Sequence, residues 1–307
     1  MLNVADIANY DEKIESEKQI FEVEKYSPKT LIEVVAAALS YSHDSFHSRV
    51  RSGLGMGPWD YMVSQVDARP GAKVLSVGSG ACGLEIALAK RFTVPYRLTC
   101  LDLNESLLEL GKEKAALEGI SMDVIAQDAN FLKLSKTYDV ILAHAALHHF
   151  VNFEHIFAEL HDHLSPTGVF IAFEPVPRNG MLLWPETKEL INRIFEVLPA
   201  RYRRVKGPDG FAVYEYFPEA DHSQEGFECI RSQDVVPLLE KFFHVEAKIA
   251  GNAFTRRFVD GGLGDNYDLT REEDRVLLDV LIAFDEFLTN HGVVRPETVF
   301  MVMKRNQ

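Results

Sequence analysis

The sequence predicts an α/β fold built on a mostly parallel, seven-stranded sheet with helices on both faces. Three observations predict it. Short apolar runs alternate with helix-forming segments, the pattern that generates parallel sheets. The first run, Lys73–Val77, leads directly into the glycine-rich turn Gly78-Ser-Gly-Ala-Cys-Gly83 and then into the helix-forming Leu84–Arg91. Two later runs end in acids, Asp102 and Asp128, at the strand ends where open α/β sheets bind ligands.

The elements follow in order. Residues 1–70 read as a helical N-terminal extension or flap, with an amphipathic helix over Glu12–Phe21 and a strongly apolar one over Leu31–Leu39. Ser52–Tyr61 is a glycine-rich connector carrying Trp59 and Tyr61, either a linker packed on the core or a flap over the ligand mouth. The sheet domain takes residues 71–307. Its second strand is Tyr96–Asp102, its third runs from Met122 to Asp128, and its fourth is Tyr138–His144. The helix after the fourth strand closes at His161–Gly168, where His161 and His163 suit the negative end of its dipole. Val169–Glu174 is the fifth strand. Residues 178–230 interrupt the core as an aromatic-rich insert holding Trp184, Tyr202, Tyr214, Tyr216 and His222. A core helix over Ser232–Phe243 leads to the sixth strand, His244–Ala250. A second insert, with the loop Gly261–Asp265 and a helix over Arg271–Leu288, precedes the seventh strand, Thr298–Lys304. There is no internal repeat and no low-complexity tract.

A strand, a glycine turn and a helix bring backbone close to a nucleotide-like ligand. Glycine permits positive φ and leaves no Cβ in the way, and the helix N-terminus offers free N–H groups. The spacing G-x-G-x-x-G fits a dinucleotide fingerprint. An acid at the end of the second strand, Asp102, can accept hydrogen bonds from both ribose hydroxyls of NAD or of S-adenosylmethionine. An NAD-dependent oxidoreductase is therefore one alternative, although Asp128 has no required task in a dinucleotide site.

Over residues from about 70 to 175 the chain resembles the class I S-adenosylmethionine-dependent methyltransferases, which have a Rossmann-like fold. The resemblance implies S-adenosyl-L-methionine as cofactor. It implies that Gly78, Ser79 and Gly80 lie under the methionine part, and that Asp102, followed by Leu103, holds the ribose. It further implies that Asp128 contacts the adenine amine, with Ala129 packed nearby. His144, closest to the fourth strand, is placed to line the cofactor pocket. Leu164-Ser-Pro-Thr-Gly168 is similar to the family's L-x-P-x-G turn. The chain departs from the family at two positions: Ser76 stands where an acid is common, and Cys82 where glycine is.

Methyl transfer to a hydroxyl needs a base, because an alkoxide attacks a sulfonium carbon far better than an alcohol does. Histidine suits that work near neutral pH. His148 and His149, in the stretch Ala143–Phe150 after the fourth strand, are the candidates, with Glu174 placed to orient the imidazole. Leu147-His148-His149 with an acid ending the fifth strand resembles small-molecule and sugar O-methyltransferases. The same triplet also occurs where a histidine only packs or caps a helix. Further on, Glu228, Arg231 and Ser232 match a Glu-x-x-Arg-Ser element of a group of bacterial methyltransferases found with polysaccharide-biosynthesis genes. Pro175 replaces that group's usual tyrosine. The aromatic-rich insert follows the fifth strand at the edge where open α/β sheets bind ligands, so it is expected to form the acceptor pocket, with Trp184, Tyr214, Tyr216 and Arg231 as its contacts. A cofactor-binding protein without transfer activity, acting as a partner or regulator, is the other alternative.

Composition bounds these readings. With 307 residues the chain makes one or two domains, and 47% hydrophobic residues supply a sizeable core. No apolar run reaches the ~20 residues of a membrane span, and Met1–Asp6 lacks a signal pattern. Cys82, Cys100 and Cys229 are scattered, which suits a reducing cytoplasm. A formal net charge of −14, with one short basic cluster at Arg201–Lys206, argues against nucleic acid as substrate and for a neutral or cationic small molecule or a glycan. His43 and His47 stand four apart, but no third ligand is spaced to complete a metal site, so none is expected. Oligomeric state is not legible.

Overall fold

The computed structural model describes residues 7, 9–22, 37–207, 210–224, 226–260 and 262–306. Residues 31–36 of the predicted apolar helix and Gly261 of the second glycine loop lie outside them.

Seven strands form the central sheet: β1 (Ala72–Val77), β2 (Tyr96–Asp102), β3 (Met122–Ala126), β4 (Tyr138–His144), β5 (Leu164–Pro175), β8 (Phe243–Gly251) and β9 (Thr298–Arg305). Their order is β3-β2-β1-β4-β5-β9-β8. β9 runs antiparallel to both neighbours, while the pairs from β3 to β5 are parallel. The order reverses at β1 and β4, which opens the crevice at their carboxyl ends. A hairpin of β6 (Arg204–Gly207) and β7 (Gly210–Val213) stands apart from this sheet.

Side chains alternate across each strand, and the two faces bury different helices. On one face, Leu75, Val77, Ile141, Ala143, Phe170 and Met301 pack on Phe153, Ile156 and Phe157 of α6 (Phe153–His163) and on Val235 and Leu239 of α8 (Ser232–Phe242). On the other, Val74, Leu98, Val140, Leu142, Ile171 and Phe300 pack on α2 (Ala37–Leu54), α3 (Pro58–Asp67), α4 (Gly83–Ala89) and α5 (Glu105–Leu117). A third core joins Ile191 and Phe195 of α7 (Pro185–Val197), Phe258 of α9 (Thr255–Val259) and Leu278 and Leu281 of α10 (Glu272–Asn290). Among the described residues no helix is long and apolar enough to cross a membrane.

Two local readings change. The predicted connector Ser52–Tyr61 is mostly helical: α2 continues to Leu54, and α3 starts at Pro58 behind Gly57, because proline is well suited to the first turn of a helix. β5 starts at Leu164, before the predicted Leu164–Gly168 turn, not after it. Leu164 pairs with Tyr138 and Val169 with Val140, so the residues between them leave the ladder.

Candidate active site

The glycine turn is shaped by what stands against it. Gly78 has φ of 71°, and a Cβ there would meet the Ala146 Cβ at 2.4 Å. The turn therefore needs glycine for its conformation and for its approach to the loop after β4. Cys82 adopts φ of 56° before α4, and its Sγ would lie 2.8 Å from a Cβ on Gly111. A cysteine is accommodated at this position because α5 carries no side chain opposite it.

The turn is tied to the end of β2. Gly80 N–H donates to Asp102 Oδ2 and Asn104 N–H donates to Oδ1, both at 2.8 Å. One hydrogen bond on each oxygen fixes the carboxylate and leaves lone pairs for two further donors. Burial raises the Asp102 pKa above the usual carboxylate value, against the pull of these two amides.

Gly78, Ser79, Gly80, Asp102, Leu103, Asp128 and Ala129 line one cleft of about 390 Å³, together with Asn130, His149, Phe150 and Phe227. Helix α1 (Tyr10–Ile20) lies over it: Ile14, Glu17, Lys18 and Phe21 complete the wall. Tyr10 donates its hydroxyl hydrogen to Asp128 Oδ2 at 2.6 Å, while Asp128 Oδ1 accepts from Asn130 N–H at 2.9 Å. The Tyr10 phenol is held protonated far above its usual range, by burial first and by Asp128 second.

Beside the glycine turn, the loop after β4 forms a short helix over Leu147–His149. Glu174, fully buried at the end of β5, accepts from Ala146 N–H at 3.0 Å, and its Oε2 lies 3.2 Å from His148 Nδ1. The predicted pair therefore meets. Burial pushes the Glu174 carboxyl up to about 7, opposed by the amides of Ala146 and Leu147. The chemistry predicted for His148 does not fit its surroundings. The side chain is 7% exposed and absent from the cleft wall, and burial drives its pKa down to about 3. An imidazole so weakly basic holds an abstracted proton poorly.

His149 is the imidazole that reaches the cleft. Its Nδ1 stands 2.8 Å from Glu17 Oε1 and its Nε2 3.5 Å from Glu228 Oε2. Burial alone would lower this histidine, but the Glu17 carboxylate holds it above its usual value. Glu17 is correspondingly held down by His149 against its own burial. The sequence marked α1 as amphipathic, but nothing in it distinguished Glu17 from the other acids of that helix. Tyr10 and Phe227 left no signal either.

The remaining candidates are placed elsewhere. His144 leaves β4 on the opposite side, against Trp59 and Phe173 at ring separations of 5.1 and 5.3 Å, so Trp59 packs rather than covering the mouth. Trp184 lies under the Arg295 guanidinium, 4.1 Å from its ring centre. Tyr214 packs into the third core, and Tyr216 is 61% exposed. Arg231 is consumed by Glu154, Asp234 and the Val151 carbonyl, at 2.7–3.1 Å. None of the four lines the cleft. The insert reaches the cleft only at its end, through Phe227.

Residues 74–168 match the family described as Methyltransferase domain. The chain is 25% identical over 138 residues to the ubiquinone/menaquinone biosynthesis C-methyltransferase UbiE of Paraburkholderia phymatum, a match covering 45% of this chain and 57% of that one. It is 24% identical over 203 residues to the protein of the same name from Cupriavidus metallidurans, covering 64% and 80%. The chain thus spans little more than half the length of the first of these relatives. Among solved structures, geranyl diphosphate C-methyltransferase from Streptomyces coelicolor aligns with a TM-score of 0.48 at 12% identity, over 81% of this chain and 79% of that one. The glycine turn, Asp102 and Asp128 all lie within the matched residues 74–168, and these findings support a class I S-adenosylmethionine-dependent methyltransferase.

Proposed function

We propose that the protein transfers the methyl group of S-adenosylmethionine to a hydroxyl of a small molecule or sugar held at the His149 end of the cleft. The observation that supports this best is the Asp102 carboxylate. It is pinned by Gly80 and Asn104 on the same wall as Asp128 and the glycine turn. In this reading the turn Gly78–Gly80 lies under the methionine part, and Asp102 accepts from the ribose hydroxyls. Asp128, Asn130, Ala129 and Leu103 receive the adenine. An NAD reading leaves Asp128 without a task.

The acceptor meets His149, Glu17 and Phe227 in this reading, with Glu228 behind His149, rather than Trp184, Tyr214, Tyr216 or Arg231. His149 has the polar surroundings that a hydroxyl and its proton require, whereas His148 is turned away from the cleft. Transfer itself draws mainly on alignment of the two reactants, worth ~7–11 kcal/mol of barrier, with proton removal adding ~10²–10⁴-fold. The net charge of −14 favours a neutral or cationic acceptor over nucleic acid. The buried thiols of Cys82, Cys100 and Cys229, none in a disulfide, support a cytoplasmic setting.

The names of the sequence relatives favour a second reading, transfer to carbon. A ring carbon becomes nucleophilic when a hydroxyl on the ring loses its proton, so the same polar cluster would serve either outcome. The test is calorimetry with S-adenosylhomocysteine and with NAD, followed by transfer of labelled methyl to a panel of hydroxylated small molecules. NAD binding without a response to S-adenosylhomocysteine would sink the proposal. Binding of S-adenosylhomocysteine with no transfer to any acceptor would favour a cofactor-binding regulator, and carbon-13 shifts of the product separate oxygen from carbon transfer.

A further inference from the structure

We infer that His148, His149 and Glu228 form a three-ligand site for a divalent first-row transition-metal ion of the zinc or ferrous type. One ligand atom from each lies within 4.8 Å of the other two. His148 Nε2 is 3.6 Å from Glu228 Oε1, and His149 Nε2 is 3.5 Å from Glu228 Oε2. These separations are too long for good hydrogen bonds. They match two atoms that share an ion: ligands at about 2.1 Å in tetrahedral geometry stand about 3.4 Å apart.

Proton placement supports the same reading. Glu174 Oε2 faces His148 Nδ1 at 3.2 Å while the same carboxyl accepts from Ala146 N–H. In the proposed site the imidazole proton sits on Nδ1, which leaves the Nε2 lone pair towards a carboxylate oxygen of Glu228, 3.6 Å away. Glu17 Oε1 stands 2.8 Å from His149 Nδ1. With both imidazoles neutral, two lone pairs and a carboxylate would converge in this half-buried space, and a cation between them would remove the repulsion. Each histidine thus has a carboxylate on its far nitrogen, the arrangement that fixes tautomer and orientation in metal-bound imidazoles. Cys229 contributes by position: its thiol donates to Glu228 Oε1 at 3.1 Å.

Two imidazoles and one carboxylate suit zinc, iron or nickel, and suit magnesium poorly, since magnesium prefers oxygen ligands. Three protein ligands leave a coordination position open, as in catalytic rather than structural sites, and His149 joins this cluster to the cleft wall. That position would take water or the acceptor hydroxyl and lower its pKa. Occupancy by metal stands on the five side chains alone, and only the ion's use on an acceptor rests on the methyl-transfer reading.

The test uses the full chain dialysed against a chelator. Zinc titrated calorimetrically should bind at one equivalent with a Kd of ~10 µM or tighter. Cobalt should give the visible absorption of a four- or five-coordinate nitrogen/oxygen site, and magnesium should bind at least ~100-fold more weakly. Glu228→Gln and His149→Ala should each weaken zinc ~100-fold or more, and Glu17→Gln ~10-fold, with far-ultraviolet circular dichroism unchanged. A folded wild type that binds neither zinc nor cobalt below ~100 µM overturns the site. So does stoichiometric zinc binding that survives both Glu228→Gln and His149→Ala. Zinc binding without S-adenosylhomocysteine binding would sink the methyl-transfer reading and keep the metal, and the reverse result would do the opposite.

Discussion

Ser76 donates its hydroxyl hydrogen to Glu85 Oε1 at 2.6 Å, at the junction of β1 and α4. Ser76 is the strand position where the family commonly carries an acid. Here the carboxyl comes instead from the first turn of the following helix, and Ser76 holds it. Both residues are buried, and Glu85 Oε2 has no partner among the described residues. The acid beneath the glycine turn has moved along the sequence without leaving the site.

That arrangement makes stability depend on pH. Burial pushes the Glu85 carboxyl up from 4.5 to about 7, against the bond from Ser76. A raised carboxyl favours folding while it is protonated, so its contribution is full below the unfolded value near 4.5 and is lost as pH rises through 7. Glu85→Gln keeps an acceptor for Ser76 and removes the charge. It should stabilise the protein by up to roughly 3 kcal/mol at pH 8.5 and by little at pH 5. The check is the difference in Tm between variant and wild type at both pH values. An equal difference at the two would refute the assignment.

Asp102 should control cofactor affinity. Asp102→Ala removes two charge-assisted acceptors from the ligand and leaves the amides of Gly80 and Asn104 without their partner. A loss of ~1.5–3 kcal/mol, or ~10- to 100-fold in the Kd for S-adenosylhomocysteine, is expected by calorimetry. Unchanged affinity would mean that the ribose is held elsewhere.

Arg231 and Tyr216 should behave unlike acceptor contacts. Arg231 bridges α6 and α8 through Glu154 and Asp234, and it holds the Glu154 carboxyl below its usual value. Arg231→Gln should lower stability by ~1–3 kcal/mol, less than a fully buried pair because the partners are partly exposed. Tyr216→Ala removes an exposed ring and should change little, within ~0.5 kcal/mol. Steady-state kinetics should show KM for the acceptor unchanged in both. A tenfold rise in KM for either would return the aromatic insert to the acceptor site.

The fold was legible because its signals are local. Apolar runs and the turn Gly78–Gly83 mark β1, α4 and the crevice without reference to the rest of the chain. Asp102, which ends β2, and Asp128, two residues past the end of β3 and not at the predicted strand end, follow the same logic. What failed was long-range. Trp184 and Arg231 are the residue types that make acceptor sites, but Arg295 lies over the first and Glu154 takes the second, partners 111 and 77 residues away. Glu17 and Glu228 come from opposite ends of the chain to meet His149, a convergence that no spacing rule expresses. His144 misled for a geometric reason: side chains alternate across a strand, and this one projects to the face away from the cleft.

Helix α1 should govern the rate at which ligand leaves. Its described contacts to the loop after β3 include the Tyr10 bond to Asp128, and the Tyr10 ring also packs on Phe227 and Phe131 at 5.1 and 5.9 Å. Tyr10→Phe keeps that packing and loses only the hydroxyl. The bond reaches a carboxylate across a half-buried boundary, so removing it should weaken helix docking by ~1–2 kcal/mol, or roughly 5- to 30-fold in the closed-to-open ratio. Because Ile14, Glu17, Lys18 and Phe21 wall the cleft, dissociation of S-adenosylhomocysteine should quicken by up to that factor. Tm of the unliganded protein should move little, since α1 buries no residue fully. Stopped-flow displacement and amide exchange across residues 10–20 measure the two quantities. Faster exchange with unaltered dissociation would show that ligand leaves by a route α1 does not cover.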